Sequence, residues 1–136
     1  MNLENIIFCE DVIDLPTSAK GIVKPAVVSP TASFILEVLP STFSFSALIM
    51  LKGLPLEPAN LKISFMNPRT DRLLFEAAAE INTSIQVNPS VPKEIAGINL
   101  NLPLKNVFIE DEGEYVLKVE ADSFKEEKKL YFVKAG

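Results

Sequence analysis

Asp111-Glu112-Gly113-Glu114-Tyr115, followed by Val116-Leu117-Lys118-Val119-Glu120, is the stretch that decides the fold. It has the form D-x-G-x-Y ahead of an alternating strand. In this pattern the tyrosine ring packs on a core while its hydroxyl bonds a backbone group slightly upstream, which pins the turn between two sheets. The stretch therefore predicts a tyrosine corner at the E–F junction of an immunoglobulin-like sandwich. Asp111, Gly113 and Tyr115 take structural roles in it, and Tyr115, Leu117 and Val119 point inward. The pattern argues for a fold and for no function.

Strand signals continue on both sides of the corner. Downstream, Asp122-Ser123 supplies a two-residue hairpin connection, and Phe124 to Val133 returns with a charged middle from Glu126 to Lys129. Upstream, Gly97 to Leu104 alternates Ile98, Leu100 and Leu102 against Asn99, Asn101 and Pro103, and Val107-Phe108-Ile109 approaches the corner. The strongest strand runs from Phe43 to Gly53, with Phe43, Phe45, Ala47, Ile49 and Leu51 on one face. Its other face starts polar at Ser44 and Ser46 and turns apolar at Leu48 and Met50. Asn60 to Met66 alternates in the same way, and Asn67-Pro68-Arg69-Thr70-Asp71 reads as a turn.

Glu4 to Val12 reads as a first strand. Between Asp14 and Ser33, Pro16, Gly21, Pro25 and Pro30 leave room for one short edge strand, at 21–24 or 26–29. Glu76-Ala77-Ala78-Ala79-Glu80 has good helix propensity, whereas Ile81, Ile85 and Val87 suit a bent strand. Strands on both sides favour strand–bend–strand, with one short helix within 72–80 as the competing reading. The expectation is all-β: an immunoglobulin-like, two-sheet antiparallel β-sandwich of seven to nine strands, forming a single domain over 1–136.

Composition removes several function classes. The chain has 136 residues, enough to bury roughly 65–70% of its extended surface without covalent staples. Its apolar fraction is 48% and its charged fraction 23%, ordinary for a folded protein. One cysteine, Cys9, excludes an internal disulfide and suits a reducing cytoplasm. The start, Met1 to Asn5, lacks the basic region of a secretory signal, and the longest apolar run, Ala47 to Leu51, is far short of a membrane helix. Asn82-Thr83-Ser84 matches a glycosylation acceptor, which matters only in a secreted protein. A net charge of −5 opposes non-specific nucleic-acid binding. With no histidine, the commonest general base and zinc ligand are missing. The reading is of no enzyme, no cofactor, no metal, no nucleic acid and no membrane partner.

The remaining candidates for chemistry each have a plainer reading. Glu110, Asp111, Glu112 and Glu114 crowd together like a calcium loop, but they lack D-x-D-x-D-G spacing and a distal Glu, so a solvated acidic turn is favoured. Cys9 has no imidazole to activate it and reads as a packed thiol. Glu10 and Asp11 face opposite sides of a continuous strand, which keeps them, with Asp14, from acting as a carboxylate pair. Leu48 and Met50 point away from the predicted core. Covering by the proline-rich N-terminal segment is the favoured reading. The other is a patch with Tyr131 and Val133, or with Val116, marking a subunit or partner contact.

Asn5-Ile6-Ile7-Phe8-Cys9-Glu10-Asp11-Val12, Leu39-Pro40-Ser41-Thr42-Phe43 and the closing Gly113-Glu114-Tyr115 strand together resemble a family of small, uncharacterised bacterial proteins. Its members begin with a C-E-D strand and end with a G-x-Y strand and a last hairpin. The sequence departs from the family at Lys20-Gly21-Ile22-Val23, where a Gly-Lys order is usual, so the pairing of 14–38 stays open. The resemblance implies an immunoglobulin-like sandwich with no assigned activity and no catalytic residue to carry over. The expected function is a non-enzymatic protein-interaction module working through a sheet edge or apolar patch, with an unknown protein or itself as partner. The alternatives are a structural or assembly subunit, for example phage-related, and a carboxylate-based hydrolase.

Overall fold

The computed structural model describes residues 1–16, 23–55, 57–81, 90–92 and 94–136. The alternation beginning at Phe43 becomes the central strand β5, for which β1 to β4 precede it in the chain: β1 (Asn2–Cys9), β2 (Asp11–Pro16), β3 (Val23–Val28), β4 (Ser33–Leu36) and β5 (Ser41–Lys52). After it come β6 (Ala59–Asn67), β7 (Arg72–Ile81), β8 (Gly97–Ile109), β9 (Gly113–Ala121) and β10 (Phe124–Lys134). Ten strands among the described residues exceed the seven to nine expected.

β1, β5 and β8 form one sheet in that order, and β4, β10, β9, β6 and β7 form the second. The chain changes sheet after β4, after β5, after β7 and after β8, so the two layers close over one core. This is an immunoglobulin-like sandwich with the A-B-E strands on one side and G-F-C-C′ on the other. β4 is added beside β10, the one parallel pair among the described residues. A separate two-stranded ribbon pairs β2 with β3.

Facing rows of apolar side chains fill the space between the layers. Phe45 is the hub of an aromatic cluster, with ring centroids 5.4 Å from Phe34, 5.5 Å from Phe65, 5.9 Å from Phe132 and 6.3 Å from Phe8. Leu61, Ile63, Leu104, Ile109, Leu117, Val119 and Leu130 are buried around it.

β8 joins two stretches that look separate in sequence. Phe43 pairs with Val107 and Phe45 with Leu104, so Lys105 and Asn106 together oppose Ser44. Asn106 has φ of 53°, and its N–H donates to Ser44 Oγ at 2.9 Å. This bulge inserts one residue, and the inward parity passes from Ile98 and Leu104 to Val107 and Ile109.

One expectation near the first strand is corrected, and near the seventh the strand favoured over a short helix is present as β7. The run Glu4–Val12 is not one strand, because the chain turns at Glu10, whose N–H bonds Val28 O at 3.0 Å. β1 stays in its sheet while β2 leaves to pair with β3. Residues 72–80 contain no helix. Pairing with β6 sets Phe75 opposite Phe65, Ala77 opposite Ile63 and Ala79 opposite Leu61, and this tertiary register overrides the local helix propensity. The expected continuation of that strand through Ile85 and Val87 lies outside the described residues, as do Lys20-Gly21-Ile22 and the Asn82-Thr83-Ser84 triplet.

The ribbon accounts for the outward face of β5. Leu48, Cys9 and Val12 are buried together, with Ile7, Val27 and Met50 packed against them. This second small core joins the ribbon to the outside of the β1-β5-β8 sheet. Truncating Leu48 to Ala is expected to cost about 2–3 kcal/mol and to speed amide exchange at Val12 and Val27. Hydrogen exchange with denaturant titration checks both, and unchanged exchange in the ribbon would show that Leu48 does not anchor it.

Candidate functional site

Tyr115 sits at the start of β9, the first strand after the chain crosses from the β8 sheet, and is fully buried. Its ring stacks on Phe65 at 5.9 Å and meets Phe132 edge-on at 5.2 Å. A buried phenol hydroxyl needs a partner. Tyr115 O–H donates to Asp111 O at 2.9 Å, four residues upstream, and the Asp111 N–H lies 3.4 Å from the same oxygen. Burial pushes the Tyr115 phenol above its ordinary value.

Arg69, at the β6–β7 turn, completes the corner from the far side of the sheet. Its guanidinium lies 5.0 Å above the Tyr115 ring centroid, pairs with Asp111 Oδ1 at 2.7 Å and donates to Glu114 O. The planar fork of arginine suits three simultaneous partners. Gly113, at φ of 136°, leaves the space that Arg69 occupies: a Cβ there would stand 2.6 Å from Arg69 Cζ. Any side chain at 113 meets both strain and a clash. Behind the turn, Asn67 is buried and accepts the Arg69 N–H at 3.0 Å through Oδ1.

The acidic run is consumed by this arrangement. Glu110 pairs with Arg72 at 2.8 Å, and Arg72 in turn covers the Phe108 ring. Asp111 faces Arg69, and Glu112 accepts the Lys134 N–H at 2.7 Å. Glu114 takes Lys129 at 3.4 Å and the Tyr131 hydroxyl at 3.1 Å. Each carboxylate is spent on a different cation or donor. Among the described residues no group of three or more His, Cys, Asp or Glu could hold a metal ion. The sequence signal for the acidic turn was local, whereas Arg69 lies 42 residues before Asp111, and only its place in a turn was readable.

The other singled-out residues fall on separate surfaces. Cys9 is buried with Sγ 3.6 Å from Ser46 O. Burial, with the nearby Asp11 charge, pushes its thiol up, away from the thiolate a nucleophile needs. Glu10 and Asp11 are exposed, and Asp11 Oδ1 accepts the Val12 N–H. Leu48 is only 3% exposed, which corrects its candidacy as an interface residue, and Met50 is half-buried beside it. Neither can join Tyr131 and Val133, which lie on the outer face of the opposite sheet.

Tyr131 and Val133 instead pair in register with Ser33 and Ile35 of β4. Ile35 is 71% exposed, Tyr131 48% and Val133 41%, so the three form an apolar strip at one margin of the sheet. Val116 lies under the neighbouring side chains, nearly buried. A second apolar surface, Ile13, Leu15 and Val28, is carried on the outward side of the β2–β3 ribbon. No helix among the described residues is long and apolar enough to cross a membrane. No protein-family model matches the chain, and no curated protein is significantly similar to it.

The corner carries a pH signature. The hydrogen bond from Arg69, with further help from Tyr115, holds the Asp111 carboxyl below its usual value. A carboxyl depressed on folding contributes stability that is present above the unfolded value near 3.9 and lost as pH falls through the lower folded value. Asp111→Asn is therefore expected to be less stable than the parent at pH 7, with the gap closing on acidification below about pH 4. Denaturant titrations across that range check it, and a gap independent of pH would remove the charge from the argument. Tyr115→Phe is expected to cost about 0.5–1.5 kcal/mol from the lost buried hydrogen bond. Equal melting of the two proteins would count against the corner as a stabilising device.

Proposed function

We propose that this protein is a non-enzymatic interaction module that binds a protein partner through the strip formed by Ile35, Tyr131 and Val133. The observation that carries this reading is contiguity: three large side chains, each more than two-fifths exposed, stand side by side on adjacent paired strands. Scattered exposed apolar residues are ordinary, whereas a contiguous group rimmed by charge marks contact surfaces. The rim is present here in Lys129, Lys134 and Glu114. Tyr131 also has the character of an interface anchor, an apolar ring with a polar tip held by Glu114.

The support for a non-enzymatic role is chemical. The carboxylates of the corner are each committed to a structural partner, and the one thiol is buried. A reducing compartment such as the bacterial cytoplasm suits that lone thiol, and the resemblance to small bacterial sandwich proteins points the same way.

Ile35→Glu with Val133→Glu is expected to leave the melting temperature nearly unchanged, since exposed sites tolerate substitution within about 0.5 kcal/mol. The same double variant should lose the partner captured by a photo-crosslinker placed at Tyr131. Light scattering of the parent distinguishes self-association from a different partner. A strictly monomeric parent that cross-links to nothing reproducibly would defeat the proposal.

A further inference from the structure

We infer that the edge of β7 away from β6, which no described strand pairs, is a docking site for an extended peptide strand that carries basic residues at positions i and i+4 and apolar residues at i+1 and i+3. The site is separate from the strip on β4 and β10, so either can fail without the other.

The inference starts from how the sheet margins are protected. An unpaired margin offers its N–H and C=O groups to any passing strand, and stable proteins blunt it with lysine, proline, bulges or brevity. Three of the four margins of the sandwich sheets are treated in this way. β4 is only four residues long, and the half of β10 that it leaves uncovered reads Lys125-Glu126-Glu127-Lys128-Lys129. β8 has Pro103 and the bulge at Lys105-Asn106. β1 has a register shift between Leu3 and Asn5, with exposed Glu4 between them. β7 differs in kind, because past Arg72 its charges are all acidic. Beyond a register shift next to Leu74, it presents Glu76-Ala77-Ala78-Ala79-Glu80 with neither lysine nor proline, and no described strand pairs with its outer side.

The side chains of that run define what fits. Ala77 and Ala79 pair with the buried Ile63 and Leu61, so they face inward, and the partly buried Phe75, Leu100 and Leu102 pack at the same core. An incoming antiparallel strand would place alternate side chains on this flank, where small alanines leave room for Val- or Ile-sized groups. Beside the edge, a shallow trough of about 720 Å³ lies over the β6–β7 pair, lined by Asn60, Leu61, Lys62 and residues 76–80. On the outward side the strand shows Glu76, Ala78 and Glu80. Lys62 holds Glu76 at 3.4 Å from the β6 side, and a carboxylate can accept a second cation from the open side.

Charge argues against a second copy as the occupant. Two β7 strands paired antiparallel about Ala78, the register that overlaps the whole alanine run, would set Glu76 against Glu80 at both ends. Like charges directly opposite each other destabilise a strand pair, and opposite charges stabilise it. A lysine or arginine facing each glutamate, with apolar residues facing Ala77 and Ala79, answers both requirements. Main-chain bonds then give affinity and the alternating side chains give selectivity, as in other strand-addition complexes.

The test is an NMR titration of the isotope-labelled protein with acetyl-Thr-Lys-Val-Ser-Val-Lys-Thr-amide. The expected result is saturable shifts centred on residues 72–81, and at least about tenfold weaker binding of the peptide with both lysines changed to glutamate. Glu76→Lys with Glu80→Lys should reverse that preference, and Val133→Glu should leave it unchanged. Absence of shifts in β7 at millimolar peptide, equal binding of the acidic and basic peptides, or shifts centred elsewhere would each overturn the inference. Self-association of the parent that Glu76→Lys abolishes would overturn it as well.

Discussion

A tyrosine with no exposed surface still has one oxygen that must be satisfied, and the architecture is organised around that requirement. The ring of Tyr115 belongs to the core, and its hydroxyl reaches the backbone of Asp111 just outside it. The chain meets both demands with a tight crossing between layers within four residues. That crossing fixes where β8 ends and where β9 begins. Because β9 lies between β10 and β6, its placement also sets the positions of both neighbours.

Charge then consolidates what the hydrogen bond positions. Exposed ion pairs are individually worth little, about 0–1 kcal/mol. At this corner they share partners: Arg69 serves the ring, the carboxylate and a backbone carbonyl together. One ordered side chain thus supports three contacts, and its entropy loss is incurred once. The acidic composition of residues 110–114 follows from this structural role, with basic partners arriving from the β6–β7 turn and from β10.

What could be read from the sequence was what depends on near neighbours. The D-x-G-x-Y corner spans five residues, and the alternation of Phe43, Phe45, Ala47, Ile49 and Leu51 needs no knowledge of the partner strand. The two-residue hairpin at Asp122-Ser123 is of the same kind. Features set by distant partners were not legible. The bulge in β8 exists because Ser44 bonds Asn106, 62 residues away, and in sequence it looks like a lapse in alternation. The alanine run in β7 has helix propensity until the register with β6 is known. Leu48 looks exposed on β5 alone, and the ribbon, built from proline-interrupted sequence, helps Cys9 and Ile7 of β1 to hide it. Arg69 gave no signal beyond its turn, because its importance comes from Asp111 and Tyr115.

The parallel pairing of β4 with β10 also bears on how the chain is made. Ser33 to Leu36 have their hydrogen-bonding partners at Tyr131 to Lys134, almost a hundred residues later. Phe34 meets Phe43 and Phe45 early, at 5.0 Å and 5.4 Å, but its stacking on Phe132 at 5.9 Å comes only with β10. During synthesis a ribosome must deliver Tyr131 to Lys134 before this pairing can form, and contacts so far apart are slow to form. Until then the β4 backbone groups that β10 will pair stay unpaired on the nascent polypeptide.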